Sequence, residues 1–226
     1  MVRTAPCPSV RGTLDLGRLM SLPESSRRLT EVEYLEIERA AEFKSEFFEG
    51  EMFAMAGGTP QHSLIATNLA REFGNRLNSG HCVPYNADLR IKIEATGLFT
   101  YPDLSVICGP LQFAAGTNDT VVNPTLLIEV LSDSTEGYDR GKKFEHYRQI
   151  PALQEYLLVS QKEPRIEQFV RQADGRWLLN EAAGLEAILK LPSLRISISL
   201  GEVFAKVSFV PTPIRAASPR SGSNQA

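Results

Sequence analysis

Cysteine is scarce in this chain. Its three residues, Cys7, Cys82 and Cys108, form no C-x-x-C pair and no zinc-like spacing, and an odd count does not make a disulfide framework. The sequence therefore predicts neither a structural zinc site nor bridged cysteines, and a reducing cytoplasm suits it best. Long apolar runs are missing too. No segment approaches the roughly 18 to 20 apolar residues that a membrane-spanning helix needs. The N-terminal "MVRTAPCPSVRGTLDLGRLMSLP" carries arginines but lacks the continuous apolar centre of a secretory signal. It reads as an unstructured extension, a weak transit peptide, or an upstream start with Met20 the working initiator.

Positive charge is in deficit where it would matter most. Overall 24 Lys and Arg face 27 Asp and Glu, a net charge of −3. The first 28 residues hold +3 of their own and residues 211–226 hold +2, which leaves −8 on residues 29–210. A protein that grips many phosphates usually shows the opposite balance, so this weighs against any nucleic-acid reading.

What is present is enough for one globular domain: 226 residues, 42% of them hydrophobic. The tail "VPTPIRAASPRSGSNQA", rich in Pro, Ser and small polar residues, has nothing to bury and reads as disordered. The folded region is expected over residues 29–210. In "LTEVEYLEIERAAEF", Thr30 and Glu33 have the spacing of a capping box, and Tyr34, Ile37 and Ala41 recur at helical intervals, which predicts a helix over 31–42. "SEFFEGEMFAMAGG" reads as a hairpin turning at Glu49-Gly50. Thr59 and Pro60 suit the N-cap and first position of a second helix, with Leu64, Leu69, Ala70, Phe73 and Leu77 as its apolar stripe and Gly80 as its stop.

Strands follow in "CVPYNADLRIKIE", "YPDLSVIC" and "PTLLIEVLS", then a helix across "YDRGKKFEHYRQI" ended by Pro151, then strands in "LQEYLLVS", "RIEQFVRQ" and "RWLLNEA". Asp174-Gly175 marks a hairpin turn between the last two. A short strand and one short helix close the chain in "LPSLRISISLGEVFAKV". This order predicts an α+β or mixed α/β fold, with a mixed central sheet flanked by helices.

The stretch "YPDLSVICG" opens an apolar strand with a carboxylate, Asp103. If this strand pairs antiparallel with "PTLLIEVLS" about a midpoint at Gly116, Asp103 falls opposite Glu129. Parity agrees: Leu104, Val106, Cys108, Leu126, Ile128 and Val130 make one apolar face, while Asp103, Ser105, Thr125 and Glu129 share the other. Like charges directly opposed across a sheet are destabilising. A divalent cation, a raised carboxyl pKa or a basic partner would compensate. In another register Asp103 would only cap the turn after Pro102 and Glu129 would face solvent. The candidate base is Lys143, which shares a helix face with His146, Tyr147 and Ile150; a lysine on such a stripe can instead snorkel to water.

Together, "SEFFEGEMFAMAGGTPQHSLIATNLAREF", "YPDLSVICG", "NPTLLIEVLS" and "YDRGKKFEHYRQIPALQEYLLVS" resemble the Uma-type restriction endonuclease family of the PD-(D/E)XK nuclease superfamily, over residues 29–207. The resemblance implies that Pro102-Asp103 is the PD element, Glu129 the second acid and Glu46 the acid near the first hairpin, preferred over Glu49. Two residues after Glu129 stands Leu131 where the superfamily has a lysine, and the resemblance implies that Lys143 on the following helix takes over.

Carboxylates without cysteine or paired histidine suit Mg²⁺ or Mn²⁺ rather than zinc. The expected activity is metal-dependent endonucleolytic hydrolysis of DNA, with Asp103, Glu129 and Glu46 as metal ligands, Lys143 orienting the attacking water or stabilising charge on the phosphate, and His62 and Tyr147 as substrate or supporting contacts. His62 is equally readable as a helix-start residue bonded to a loop. His81 and His146 join no constellation, and Trp177 reads as core. Two other classes compete: a catalytically inactive nuclease-fold binding module, and a hydrolase of another phosphoester. A local groove of Arg71, Arg76, Arg90, Lys92, Arg140, Lys142 and Arg148 would reconcile DNA with the acidic domain. The late strands 164–181 could pair two subunits into a homodimer.

Overall fold

A computed structural model describes residues 27–209. The expectations for the two chain ends fall, apart from residues 27 and 28, outside the described residues. Four helical elements, one of them broken, and three sheets make up the described residues. The elements are α1 (Glu31–Ala40), β1 (Ser45–Phe48), β2 (Glu51–Ala54), α2 (Pro60–Leu77), β3 (Cys82–Asn86), β4 (Arg90–Ile93), β5 (Leu98–Thr100), β6 (Leu104–Cys108), β7 (Thr120–Val121) and β8 (Leu126–Val130). A broken helix follows: α3 (Glu136–Tyr138), a π-helical turn (Asp139–Lys143) and α4 (Phe144–Tyr147). Then come β9 (Glu155–Val159), β10 (Arg165–Arg171), β11 (Trp177–Ala183), β12 (Ile188–Leu191), β13 (Ile196–Ser199) and α5 (Leu200–Val203).

The six-stranded sheet runs β11-β10-β9-β8-β6-β3 and the five-stranded sheet β2-β1-β5-β4-β7, with β12 and β13 as a separate pair. Both large sheets are mixed. Strands β8 and β9 are parallel, which requires the crossover that the broken helix supplies, and β4 and β7 are parallel as well. The expected α+β architecture, a mixed sheet flanked by helices, is what is found.

The layers follow from strand parity. One face of the six-stranded sheet, with Leu104, Val106, Leu126, Ile128 and Val130, packs against Ile65, Leu69, Phe73 and Leu77 of α2. Its other face, with Ile107, Leu127 and Leu158, meets Ile91, Ile93 and Leu98 of the five-stranded sheet and Tyr147 of α4. Under α1, Tyr34 stacks on Phe47 and meets Phe99 edge-on.

Local signals explain most element ends. Thr30 accepts from the Glu33 backbone N–H while the Glu33 carboxylate takes the Thr30 N–H, the reciprocal cap read from sequence. Thr59 caps α2 by accepting from the His62 N–H at 3.1 Å, with Pro60 in the first turn. Between β1 and β2, Glu49 and Gly50 both have positive φ, 50° and 85°, the geometry of a tight hairpin turn.

Several expectations are corrected. Helix α1 ends at Ala40 because Ala41 is already extended, and Ile37 is exposed rather than part of the buried stripe. In α2 the buried stripe begins at Ile65; Leu64 is half-buried beside it. Strand β5 was not expected: its three residues are too short to show a period. The helix expected across 138–150 is interrupted by a π turn and ends at Tyr147. Cys82 and Cys108, expected to be unpaired, are joined by a disulfide, because the antiparallel register of β3 and β6 sets residues 26 apart in sequence directly opposite. The bridge removes the support that cysteine scarcity lent to a reducing compartment. Among the described residues no helix is long and apolar enough to cross a membrane.

Candidate active site

Strand pairing delivers the first two carboxylates. Leu104 pairs with Ile128, Ser105 with Leu127 and Val106 with Leu126, and one further step of the same antiparallel register sets Asp103 opposite Glu129. This is the pairing read from the midpoint at Gly116. Glu129 belongs to the face turned from α2, near the carboxyl end of β8, where the chain departs toward the broken helix. Asp103 lies just before its strand, and its Oδ2 accepts from the Val130 N–H at 2.8 Å, a bond that ties it to β8 itself.

The broken helix delivers the cation. Lys143 is only 5% exposed, and its Nζ lies 2.9 Å from Glu129, 3.3 Å from Glu46 and 3.5 Å from Asp139. It does not snorkel to water; it is buried among three acids. Tyr147, one turn on, donates its hydroxyl to Glu129 Oε1 at 2.6 Å. The π turn that carries Asp139 and Lys143 is a form of helix that recurs at functional sites. Glu46 comes from β1 in the other sheet, where the Thr100 hydroxyl of β5 donates to it. Glu49 sits at the exposed hairpin turn.

The fourth contributor is His62, in the first turn of α2. Its Nε2 is 3.2 Å from Asp103 Oδ2. Gly58 makes that approach possible, since a Cβ there would lie 2.8 Å from the imidazole Nδ1. Asp103, Glu129, Lys143, Glu46, Asp139 and His62 line an open cleft of about 1590 Å³, whose rim includes Phe43, Phe53 and Lys44.

The electrostatics follow from burial and crowding. Burial pushes the Glu129 carboxyl up to about 8; Lys143 opposes this, while Asp139 and Asp103 add to it. Asp139 is raised for the same first reason. Burial works against the charged form of Lys143 as well, yet the surrounding Glu129, Glu46 and Asp139 outweigh it and hold the ammonium well above its ordinary range. Lys143 thus stays charged, while burial and mutual repulsion make Glu129 and Asp139 harder to ionise. His62 is raised by its bond to Asp103, against a smaller opposing effect of burial.

The donor set is oxygen-rich and suits a hard divalent cation. No three carboxylates among the described residues bring oxygens within 4.8 Å of one another; the one such group of three possible ligands is His81, Cys82 and Cys108, and two of those are bridged. The fit is therefore to a cation held by one or two carboxylates with water or phosphate completing its shell, as is usual for Mg²⁺.

The structure brings together Asp103, Glu129, Lys143, Glu46, His62 and Tyr147, all singled out from sequence. Sequence reasoning missed Asp139, Tyr138 and Thr100. Asp139 stands four residues before Lys143, a spacing that could have flagged it; Thr100 lies on the strand that was not foreseen. His146 stacks edge-on with Phe48, and Trp177 packs on Phe144 under the Arg171 guanidinium. The expected basic groove is not assembled. Arg71 and Arg76 pair with Glu72, Arg90 with Asp119, Lys92 with Glu31, Arg140 with Glu136 and Glu167, and Lys142 with Glu145. None of them, nor Arg148, lines the cleft.

A family model described as "Uma2: Putative restriction endonuclease" matches residues 32–201. Two proteins of Synechocystis sp. (strain ATCC 27184 / PCC 6803 / Kazusa) are similar. "Uncharacterized protein slr1290" is 38% identical over 182 residues, covering 80% of this chain and 94% of that protein. "Uncharacterized protein sll1609" is 36% identical over 177 residues, covering 78% and 100%. The crystal structure of "a putative nuclease belonging to DUF820 from Anabaena variabilis ATCC 29413" has a TM-score of 0.63 to this chain at 19% identity, over 76% of this chain and 96% of that one. At that identity the likeness is one of fold.

Proposed function

The chain belongs to the Uma2 family, and from that premise we propose that its cleft hydrolyses phosphodiester bonds of DNA with the help of a bound divalent cation, Mg²⁺ or Mn²⁺. Restriction-endonuclease-like families generally use divalent metals. The observation that carries the reading is the convergence of Asp103, Glu129 and Lys143 in one cleft from three separate elements.

Asp103 and Glu129 would hold the cation, and Glu46 would reach it through water. When bound, such an ion polarises a phosphoryl oxygen and makes water a better nucleophile at neutral pH. The remaining work falls to side chains. Glu129 is held by the Tyr147 hydroxyl, and Asp103 by the Val130 N–H and His62, and both residues line the cleft. Lys143 stays protonated among its acids and supplies a positive group against the negative charge that builds on phosphate as water attacks. Hydrolysis consumes one water per bond and leaves a phosphate monoester and a hydroxyl. Asp139 lowers the cost of burying the ammonium and so positions it.

A second reading keeps the fold without catalysis. The cleft's own lysines favour it, because Lys44 is paired with Asp88, and Lys162 with Asp133 and Glu136. Metal binding by calorimetry on the wild type and on Asp103→Asn, with plasmid nicking in the same buffers, separates the two. The nuclease reading expects metal binding and nicking in the wild type and loss of both in a folded Asp103→Asn. Nicking retained by that variant removes Asp103 from the mechanism; no binding and no nicking by either protein leaves the binding module. For a homodimer, the free outer edge of β11 with exposed Leu178 and Leu179 is the surface we propose, tested by sedimentation of Leu179→Lys.

A further inference from the structure

Two phenylalanines stand at the mouth of the cleft with little to cover them. Phe43 is 76% exposed and Phe53 is 49% exposed. Both line the same cleft as Asp103, Glu129 and Lys143. The position of Phe53 is set by pairing: it is directly opposed to Glu46 across the β1–β2 hairpin, so the two side chains leave the sheet on one face. Glu46 in turn lies 3.3 Å from Lys143. The ring of Phe53 is thus one cross-strand step from the acid that touches the catalytic lysine. Phe43 lies in the short link between α1 and β1, just before Lys44 on the cleft rim.

Charge limits what substrate can reach this place. A duplex carries one phosphate charge per roughly 1.7 Å of its axis and is ordinarily followed by rows of free lysine and arginine. Among the described residues, the cations that line the cleft are committed to acids: Lys44 to Asp88, Lys162 to Asp133 and Glu136, Lys143 to its three carboxylates, His62 to Asp103. A strand entering the cleft finds a cation site for one phosphate and, beside it, apolar ring faces instead of a basic track. Ring faces suit unpaired bases, because every base has a π face and stacking needs no complementary charge.

We infer that the strand cut in this cleft is single-stranded or locally unpaired DNA, whose bases next to the scissile phosphate stack on Phe43 and Phe53. This rests on the nuclease reading for the phosphate and on the exposed rings for the strand form. A paired base hides its faces in the helix stack and offers these rings nothing. The rings act as specificity determinants: they select the form of the substrate, and the carboxylates select the bond.

The test uses the full chain with Ca²⁺, a hard cation that supports binding, and measures fluorescence anisotropy of one short oligonucleotide as a single strand and as a duplex. A 2-aminopurine base in the strand reports stacking by quenching. The wild type is expected to prefer the single strand and to quench the probe. Phe43→Ala and Phe53→Ala are each expected to weaken single-strand binding roughly tenfold and to lose the quenching, while Phe53→Tyr retains both. Val32→Ala, an equally exposed apolar truncation outside the cleft, is the control and is expected to bind as the wild type does.

Equal affinity for strand and duplex, or alanine variants indistinguishable from wild type, overturns the inference. So does sedimentation showing that the alanine variants break a dimer, since a second copy would then be what covers the rings. Cleavage of the same single-stranded oligonucleotide, and nicking of plasmid, with Mg²⁺ or Mn²⁺ keep the two ideas apart. Nicking without dependence on the rings sinks the substrate inference alone, and ring-dependent strand binding without cleavage in any metal sinks the nuclease reading alone.

Discussion

Replacing Lys143 with methionine removes the one cation from a buried acid cluster while keeping the length of the stem. Lys143 touches Glu129, Glu46 and Asp139, and each of these carboxylates is largely shielded from water. Breaking a buried pair by deleting one partner costs about 3–5 kcal/mol, because the remaining charge is left uncompensated. For a domain of this size each kcal/mol moves the melting temperature by roughly 2–4 °C, so the variant should melt about 6–20 °C below wild type.

The loss should depend on pH with a definite sign. Glu129 is already pushed up to about 8 by burial in the presence of Lys143, against an ordinary 4.5, and losing the lysine drives it higher. A carboxyl raised in the folded state holds a proton that the unfolded chain has released. Folded stability therefore falls as pH rises from about 4.5 toward the raised value, by about 1.4 kcal/mol per unit for each such proton. Denaturant titrations of metal-free wild type, Lys143→Met, Glu129→Gln and the double variant at pH 5, 7 and 9 measure this directly. The single lysine variant should approach wild type at pH 5 and fall away by pH 9, and the double variant should recover at least half of the loss at pH 9. A Lys143→Met protein within about 1 kcal/mol of wild type at pH 9, or a double variant no better than the single, would refute the buried cluster.

Other consequences are open to simpler measurements. Gly58→Ala places a methyl group against the His62 imidazole, so the imidazole must leave Asp103; NMR titration should find its pKa, raised in the wild type, back near the ordinary histidine value. Asp119 is held below the usual carboxylate range, first by Arg39 and then by Arg90, against burial. Its contribution is present above about pH 4 and lost as pH falls through the depressed value, so Asp119→Asn should flatten the acid limb of the stability profile. Thr59→Ala removes the cap of α2 and should cost about 1 kcal/mol in a denaturant titration, with no change in the slope. Peptide mapping after alkylation without reductant should find Cys82 linked to Cys108; alkylation of both would refute the bridge.

Much of the site was legible because sheet geometry is periodic. A strand of period two allows one register to place Leu104, Val106, Leu126, Ile128 and Val130 on a single apolar face, and that register sets Asp103 against Glu129. The Thr30–Glu33 capping box, the Glu49-Gly50 turn and the Asp174-Gly175 hairpin are local chemistry, decided within a few residues. Helical spacing brought Lys143 and Tyr147 to one inward face.

Other features depend on segments far apart in the chain, and no local pattern announces them. Cys82 and Cys108 are opposed only because β3 lies beside β6. His62 reaches Asp103 only because α2 packs on the sheet that β6 enters. Of the arginines that looked free for a DNA groove, Arg71, Arg76, Arg90 and Arg140 are drawn to acids close by in the folded chain, Arg90 to Asp119 and Arg76 to Glu72 and Glu202 among them. Period and capping are properties of neighbours along the chain, so the sequence alone determined the faces, the turns and the pairing of the two acids. Which charges cancel and which rings stay exposed depends on distances between elements, and those only the tertiary structure decided.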